Sequence, residues 1–462
     1  MGSGGERKIV IIGAGPTGLG AGYRLQELGY GNFVILEADD HVGGLASSEK
    51  TANGFTYDIG GHILFPHYEY FNRLFDKLLG DGYQHLERDA WVWMLDRFLP
   101  YPFQNNIKYL PGDTILECVM GLVDAQTKSA AFASFSNFEE FIYGVFGTGI
   151  AKYFLMPYNR KVWAHEPAMM SKDWINERVS IVDLERVLGN IILDREDSRW
   201  GPNATFRYPR LGGTGGFFDR MRPYVEGNLR LNSRVAFVDT VANEVVLTDG
   251  RRESYDLLFS TMPIDELVKS MNGEVPDSLR DDASGLRHSG SIVVGVGLKQ
   301  RAPSNKNWVY FPEEDCPFYR VTYLSNYSAD VVPDVKTHYS LLAEISKSEF
   351  KEESADCVVE KTIRGLIETR MLLESDRDDI VDTHLIERDC TYPIPTIDRD
   401  RILNRIQPFL ESKNIFSRGR FGAWRYEVGN MDHSVAQGVE WVDRILTNDA
   451  SDELTYLAKR AC

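Results

Sequence analysis

Between Ile12 and Leu19 the chain reads GAGPTG, which sets Gly13, Gly15 and Gly18 at the spacing G-x-G-x-x-G. Residues without side chains let backbone come close to a pyrophosphate, and a helix opening there offers unpaired N–H groups and the positive end of a dipole. The run KIVII before it has the composition of a buried parallel strand; Leu19–Leu28 has helical spacing and stops at Gly29. FVILEA ends at Glu37, 19 residues beyond Gly18, where a carboxylate suits a ribose hydroxyl. Strand, glycine turn, helix, strand and carboxylate in that order predict a dinucleotide site.

Two more glycine pairs narrow the choice of dinucleotide. Gly43 and Gly44 follow the carboxylate, where flavoproteins run a second glycine turn against the cofactor; an ordinary turn is the alternative. Gly60 and Gly61, in GFTYDIGGHILFPHY, would let backbone approach an isoalloxazine ring, with His62 either touching the flavin or capping the loop. His67 reads as structural.

Arginines gather in three aromatic-rich stretches: Arg207 and Arg210 in FRYPR; Arg320 beside Tyr319, Tyr323 and Tyr327; Arg418, Arg420 and Arg425 before Tyr426. Guanidinium forks with phenol hydroxyls are suited to clamping a diphosphate. The chain has no metal-spaced His/Cys set, no G-x-S-x-G elbow and no phosphate loop of the G-x-x-x-x-G-K-[ST] type. The difficult chemistry therefore falls to a cofactor.

These groups need a large frame. At 462 residues, 43% hydrophobic and 26% charged, the chain predicts two or three structural units with a substantial core. Its 51 basic and 68 acidic residues, net −17, disfavour nucleic acid and anionic membrane as partners. Five scattered cysteines without a C-x-x-C pair, and no long apolar run, predict a reduced, cytoplasmic protein. From about Leu64 the periodicity is helical for over a hundred residues, with Ser136 and Glu139 at capping-box spacing. Gly212–Gly216 opens a predicted helix, FFDRMRPYV. A hairpin is expected at Asp249–Gly250 between EVVLT and SYDLLFST. SIVVGVGL, WVYF, FYRVTYL and HYSLLAEI then read as an antiparallel sheet covered on one face, and SVAQGVEWVDRIL as a last helix.

Taken together, GFTYDIGGHILFPHYEYF, PYPFQNNI, MPYNRKVWA, NERV, WGPNATFRYPRLGGTGG, YFPEEDCPFYR, SNYS and GRFGAWRYEVGNMDHS resemble the eukaryotic-type UDP-galactopyranose mutase family, from about residue 8 to 447. The resemblance implies an α/β fold: a discontinuous FAD-binding Rossmann-like domain (1–103 with 205–285 and 411–462), a helical insertion (104–204) and an antiparallel sheet domain (286–410). It implies non-redox interconversion of UDP-galactopyranose and UDP-galactofuranose by attack of reduced FAD N5 on the anomeric carbon, with NADPH as reductant.

Matched by motif, Arg320 and Arg420 would grip the diphosphate, supported by Tyr310, Tyr327, Tyr392 and Tyr426. Tyr101, Phe103, Gln104, Tyr158, Asn159 and Trp163 would enclose the uridine. Arg178 and Asn203 would lie by sugar and flavin, and His62 beside N5. Gly429, Asn430 and Ser434 would meet the flavin's pyrimidine edge at a helix start. The chain departs from the family pattern at Met156, Arg160, Met431 and Pro66; the first two are expected near the nucleotide. Alternatives are a mutase for another nucleotide sugar, an amine-oxidase-like or protoporphyrinogen-oxidase-like flavoenzyme, and a silent nucleotide-sugar binder. Oligomeric state is not legible.

Overall fold

The computed structural model describes residues 6–65, 67–128, 134–175, 179–181, 183–197, 204–447 and 453–457. Ile9–Ile12 is buried on both sides as the middle strand of a five-stranded parallel sheet, ordered Ile415–Ser417, Leu257–Ser260, Ile9–Ile12, Phe33–Leu36, Leu229–Arg230. Alternate side chains serve opposite faces. Ile9, Ile11 and Phe259 pack with the helices Pro16–Glu27, Glu69–Leu79 and Met431–Leu446, whereas Val10 and Leu258 pack with Ile264–Ser270 and Arg399–Ser412.

The first and last of those helices cross almost backbone to backbone. A Cβ on Gly438 would stand 2.2 Å from the Thr17 carbonyl oxygen, and one on Gly20 would stand 2.7 Å from that of Val435. Glycine at the crossing draws the two helix starts, Pro16–Thr17 and Met431–Ser434, onto one groove.

A seven-stranded sheet forms the second layer, ordered Ile380–Pro393, His288–Leu298, Tyr339–Lys347, Arg320–Tyr323, Trp308–Tyr310, Ala90–Met94, Arg97–Pro100. Contrary to expectation it is covered on both faces at its centre. Ile292, Val294 and Val296 pack toward the helix Val358–Glu368, while Gly295 and Gly297 admit the rings of Tyr57 and Phe55 on the other side.

Other sequence expectations need correcting. Three strands, Tyr83–Glu87, Ala90–Met94 and Arg97–Pro100, interrupt the predicted helical stretch, and the last two join the large sheet. The capping pair before Phe138–Ile150 sits one residue later: Asn137 accepts from Glu140 N–H at 2.9 Å, and Glu140 accepts from Ser136 N–H at 2.7 Å. FFDRMRPYV is two short helices, Gly215–Asp219 and Arg222–Val225. The Asp249–Gly250 hairpin joins Glu244–Leu247 to Arg252–Ser254, after which Leu257–Ser260 leaves for the parallel sheet.

Asp58, fully buried, ties the glycine loop 212–216 to the body of the protein. It accepts from Ser48 Oγ at 2.6 Å, Tyr208 Oη at 2.7 Å, and Thr214 N and Oγ1 at 3.0 and 2.9 Å. Among the described residues no helix is long and apolar enough to cross a membrane.

Gly438→Ala is expected to force the crossing helices apart and lower unfolding free energy by about 2 kcal/mol, read by urea titration; unchanged stability would mean that the crossing is not tight.

Candidate active site

The glycine turn, the second glycine turn and the last helix enclose a groove of about 1120 Å³, walled in part by Gly13, Gly15, Glu37, Gly44 and His62 on one side and Arg420, Gly429, Met431 and Ser434 on the other. Gly13 adopts φ +97°, and a Cβ on Gly18 would stand 1.9 Å from its carbonyl oxygen, so strand and helix meet without a side chain between them. Gly15 caps the first helix with no side-chain bond, leaving the terminal N–H groups for a ligand. Gly43 N–H donates to Ala14 O at 2.9 Å, and a Cβ on Gly44 would meet Gly15 Cα at 3.2 Å, so the second glycine turn braces the first. Glu37 accepts from Ala14 N–H at 2.6 Å and Asp39 N–H at 2.9 Å; each oxygen keeps a lone-pair direction for a ribose hydroxyl. Burial holds its pKa above the usual carboxylate value, with these N–H bonds opposing the shift only in part.

Beside this groove lies an aromatic cleft of about 890 Å³. The helix Met156–Trp163 contributes Tyr158, Asn159 and Trp163; the turn after Arg97–Pro100 contributes Tyr101 and Gln104; the sheet contributes Tyr310, Arg320 and Tyr392. Tyr310 stands 5.1 Å from Tyr101 and 5.3 Å from Tyr158, and Trp163 stands 4.8 Å from Tyr426, ring centre to ring centre. Gln104 Nε2 donates to Ser180 O at 2.6 Å and Asn159 Nδ2 to Leu155 O at 2.7 Å, which fixes both amides. Burial raises the phenol pKa of Tyr158, Tyr319 and Tyr392, so these hydroxyls stay protonated donors.

Arg320 enters the cleft from its strand on a buried carboxylate. Its Nε and Nη2 donate to Glu344 at 2.5 and 2.8 Å, and Tyr319 Oη donates to the same carboxylate at 3.1 Å. Burial opposes ionisation of Glu344, but the guanidinium outweighs it and holds the carboxyl below its usual range. Arg420 extends from its short helix, donating from Nε to Gly429 O at 2.9 Å and from Nη1 to Thr391 O at 3.0 Å, 5.5 Å from the centre of the Tyr392 ring. His62 feels both arginines. Burial first and Arg420 second push its pKa down to about 4, with Arg320 adding to the effect and Glu344 opposing it, so the imidazole is neutral at pH 7. Its Nδ1 is buried with no protein partner, an atom left for a ligand.

Most of the expected site residues converge here, with exceptions. Phe103 is fully buried and stacks on Phe154 at 4.8 Å, backing the cleft rather than lining it. Tyr327, 1% exposed, packs on Phe206 and Tyr208 behind Arg320. Gly60 and Gly61 press on the Arg320–Glu344 pair: a Cβ on each would stand 3.0 and 3.2 Å from Glu344 oxygens, which gives these glycines a second reason to be small. Asn430 is the N-cap of Met431–Leu446. Arg178, Asn203 and Pro66 lie outside the described residues.

Of the three arginine clusters, only Arg320 and Arg420 line the two cavities. Arg207 pairs with Asp76 at 3.2 Å, Arg210 donates to Tyr83 O at 3.0 Å, and Arg418 is buried between Glu453 and Glu411. Nor do Met156 and Arg160 touch the cleft: Met156 is in the helical core, and Arg160 faces a different cavity, bonded to Glu166 at 2.8 Å. The same helix shows two faces, and sequence proximity to Tyr158 and Asn159 does not tell them apart.

Sequence reasoning missed Glu344, whose signal is a lone carboxylate in an apolar strand run, where only a buried partner cation makes it tolerable. It also missed the pair Arg399–Glu427, two bonds of 2.8 Å with Arg399 1% exposed, which anchors the turn presenting Tyr426 and Gly429.

Residues 11–78 match the NAD(P)-binding Rossmann-like domain family. The solved structure of a reduced UDP-galactopyranose mutase superposes with TM-score 0.94 at 43% identity, over 98% of this chain and 96% of that one. The chain belongs to the UDP-galactopyranose mutase family. That is a family of flavoprotein isomerases. A putative protoporphyrinogen oxidase from Exiguobacterium sp. 255-15 shares the fold alone, at TM-score 0.71 and 16% identity over 96% of this chain and 99% of that one. Putrescine oxidase of Kocuria rosea is 37% identical over 112 residues, 24% of this chain and 23% of that protein. Polyamine oxidase 7 of Oryza sativa subsp. japonica is 43% identical over 58 residues, 13% of this chain and 12% of that protein. The chain thus spans less than a quarter of the length of these two curated relatives.

Asp432, in the first turn of the last helix, binds His67 Nδ1 at 2.7 Å and His433 Nδ1 at 3.2 Å, joining the histidine loop to the groove. Burial opposes its ionisation, yet the two histidines hold its pKa far below the usual carboxylate range. A depressed folded-state pKa contributes stability that is full above the unfolded value of about 4 and is lost as pH falls through the folded value. Asp432→Asn is expected to lower stability at pH 7 and flatten its decline below about pH 4, measured by chemical unfolding across pH; an unchanged acid limb would remove Asp432 from this role.

Proposed function

We propose that the protein interconverts UDP-galactopyranose and UDP-galactofuranose with no net redox change, using FAD in its reduced state, with NADPH as the reductant and the cytoplasm as its compartment. The observation that carries this reading is the meeting of Arg320, in the aromatic cleft, with Arg420, in the dinucleotide groove, both near enough to His62 to depress its pKa. The groove residues fit a flavin dinucleotide: bare helix starts for the pyrophosphate, Glu37 for a ribose, and an orphaned His62 Nδ1 at the inner end.

When bound, reduced FAD would supply N5 as the nucleophile for the anomeric carbon of the sugar. The rest is positioning by the chain. Arg320 and Arg420 would hold the diphosphate in place after it leaves the sugar, which keeps its return effectively intramolecular. The protonated Tyr392 hydroxyl, with those of Tyr310 and Tyr426, would donate to phosphate oxygens. Tyr101, Tyr158 and Trp163 would take the flat uracil and exclude water from the ion pairs. His62, being neutral, would offer a hydrogen bond without adding a charge, and the N–H groups at Asn430 would favour electron-rich ring atoms.

Amine-oxidase-like relatives share the dinucleotide part, but Arg320 in the cleft and Arg420 at the adjoining groove oppose a cationic amine here.

Dithionite-reduced, flavin-loaded protein is expected to convert UDP-galactofuranose to UDP-galactopyranose, followed by chromatography, whereas air-oxidised protein leaves the ratio unchanged; no change in the reduced sample would end this reading. Arg320→Ala should retain flavin and lose more than ~100-fold in UDP affinity and turnover, because it removes a buried charged contact. Normal turnover in that variant would take Arg320 out of the site.

A further inference from the structure

The helix Met156–Trp163 has a cavity on each side. Tyr158, Asn159 and Trp163 face the aromatic cleft, while Arg160 and Lys161 face a separate cavity of about 940 Å³ that the proposed reaction does not use. Lys161 enters this second cavity from the helix, and Lys351 enters from the turn after Tyr339–Lys347.

Both ammonium groups are poorly compensated. Lys161 is 7% exposed; its Nζ donates to Glu313 O and lies 3.3 Å from Cys316 Sγ. Lys351 Nζ donates to Ser346 Oγ at 3.2 Å. An ammonium carries three donors, so one on Lys161 and two on Lys351 are unspent. Among the described residues neither lysine has a carboxylate at ion-pair distance. Acidic groups on the wall are engaged or peripheral: Glu166 is bonded by Arg160 at 2.8 Å, Glu353 by Lys361 at 2.9 Å, and Glu314 is exposed. Burial and the neighbouring Lys161 push the Lys351 pKa down to about 8, with the more distant Glu353 and Glu314 opposing the shift without cancelling it. Cys316, whose thiol burial pushes up to about 12, supplies no thiolate.

We infer that this cavity is a binding site for a small phosphate-type dianion, held between Lys161 and Lys351 with Arg160 at its mouth. Two compact ammonium groups with unused donors match a compact, doubly charged oxyanion better than a planar carboxylate, which calls for a guanidinium fork. The source of the phosphate group, free phosphate or a phosphomonoester, is left to the experiment. The site is independent of the proposed mutase reaction.

The test uses flavin-loaded protein with saturating UDP, so that the diphosphate cleft is filled, and limiting acetic anhydride at pH 7. Inorganic phosphate is expected to slow acetylation of Lys351 roughly tenfold, because raising its pKa by one unit cuts the free amine tenfold. Exposed Lys128 should label at an unchanged rate. Phosphate should also raise the thermal midpoint of the wild type and not that of Lys351→Met, and Lys161→Met should lose the protection of Lys351. Glucose 1-phosphate protecting at lower concentration than phosphate would assign the site to a phosphomonoester; the reverse order would assign free phosphate. Equal labelling of Lys351 with and without either anion, or a phosphate-dependent midpoint shift that persists in Lys351→Met, would overturn the inference.

Discussion

Setting two part-buried guanidinium groups on adjoining cavities, in a chain of net charge −17, is the constraint around which the structure is arranged. A buried cation is costly unless it is paired or awaits an anion. Glu344 meets the first condition for Arg320, gripping two of its nitrogens; Nη2 also donates to Gly61 O at 3.3 Å, and Nη1 is left for the cleft. Carbonyls of Gly429 and Thr391 orient Arg420. Glu344 therefore works as a support that fixes where positive charge is presented, and the neutral state of His62 follows from the same field.

Each larger element then has a positional task. The parallel sheet sets the glycine turn and Glu37; the glycine-to-glycine crossing of the first and last helices brings Met431 and Ser434 to the opposite wall of the groove. The seven-stranded sheet carries Arg320 and Glu344 on adjacent strands and Tyr392 one strand further on, beyond His288–Leu298, and the helix Met156–Trp163 closes the cleft with Tyr158 and Trp163. Arg399 and Glu427 lock the turn from which both Tyr426 and the Gly429 carbonyl project, so one buried ion pair sets a residue in each cavity.

What the sequence made legible depended on how local the signal was. The glycine turn, its strand and Glu37 are governed by spacing within 40 residues, and the structure has them as read. Arg320 and Arg420 stood out by charge in an aromatic setting. Arg418 looked equivalent to Arg420 two residues away, because direction from a strand end into a short helix is not encoded in composition; one meets carboxylates in the core, the other meets the groove. Glu344 and Asp58 were invisible as ties because their partners come from distant segments. The strands between Tyr83 and Pro100 were overlooked because their apolar residues blend into flanking helical periodicity, and tertiary pairing, of Tyr83–Glu87 with Thr205–Pro209 and of Ala90–Met94 with Trp308–Tyr310, decides their state.

The two cavities share one cationic junction, with Arg420 in the groove and against the Tyr392 ring of the cleft. The most direct measurement is a titration of UDP into flavin-loaded protein, following the visible flavin band and UDP affinity together. A saturable spectral change in the wild type, with both the change and the affinity lost in Arg420→Ala while flavin stays bound, is the predicted result. UDP binding to that variant as tightly as to the wild type, with the flavin band unmoved in both, would contradict it.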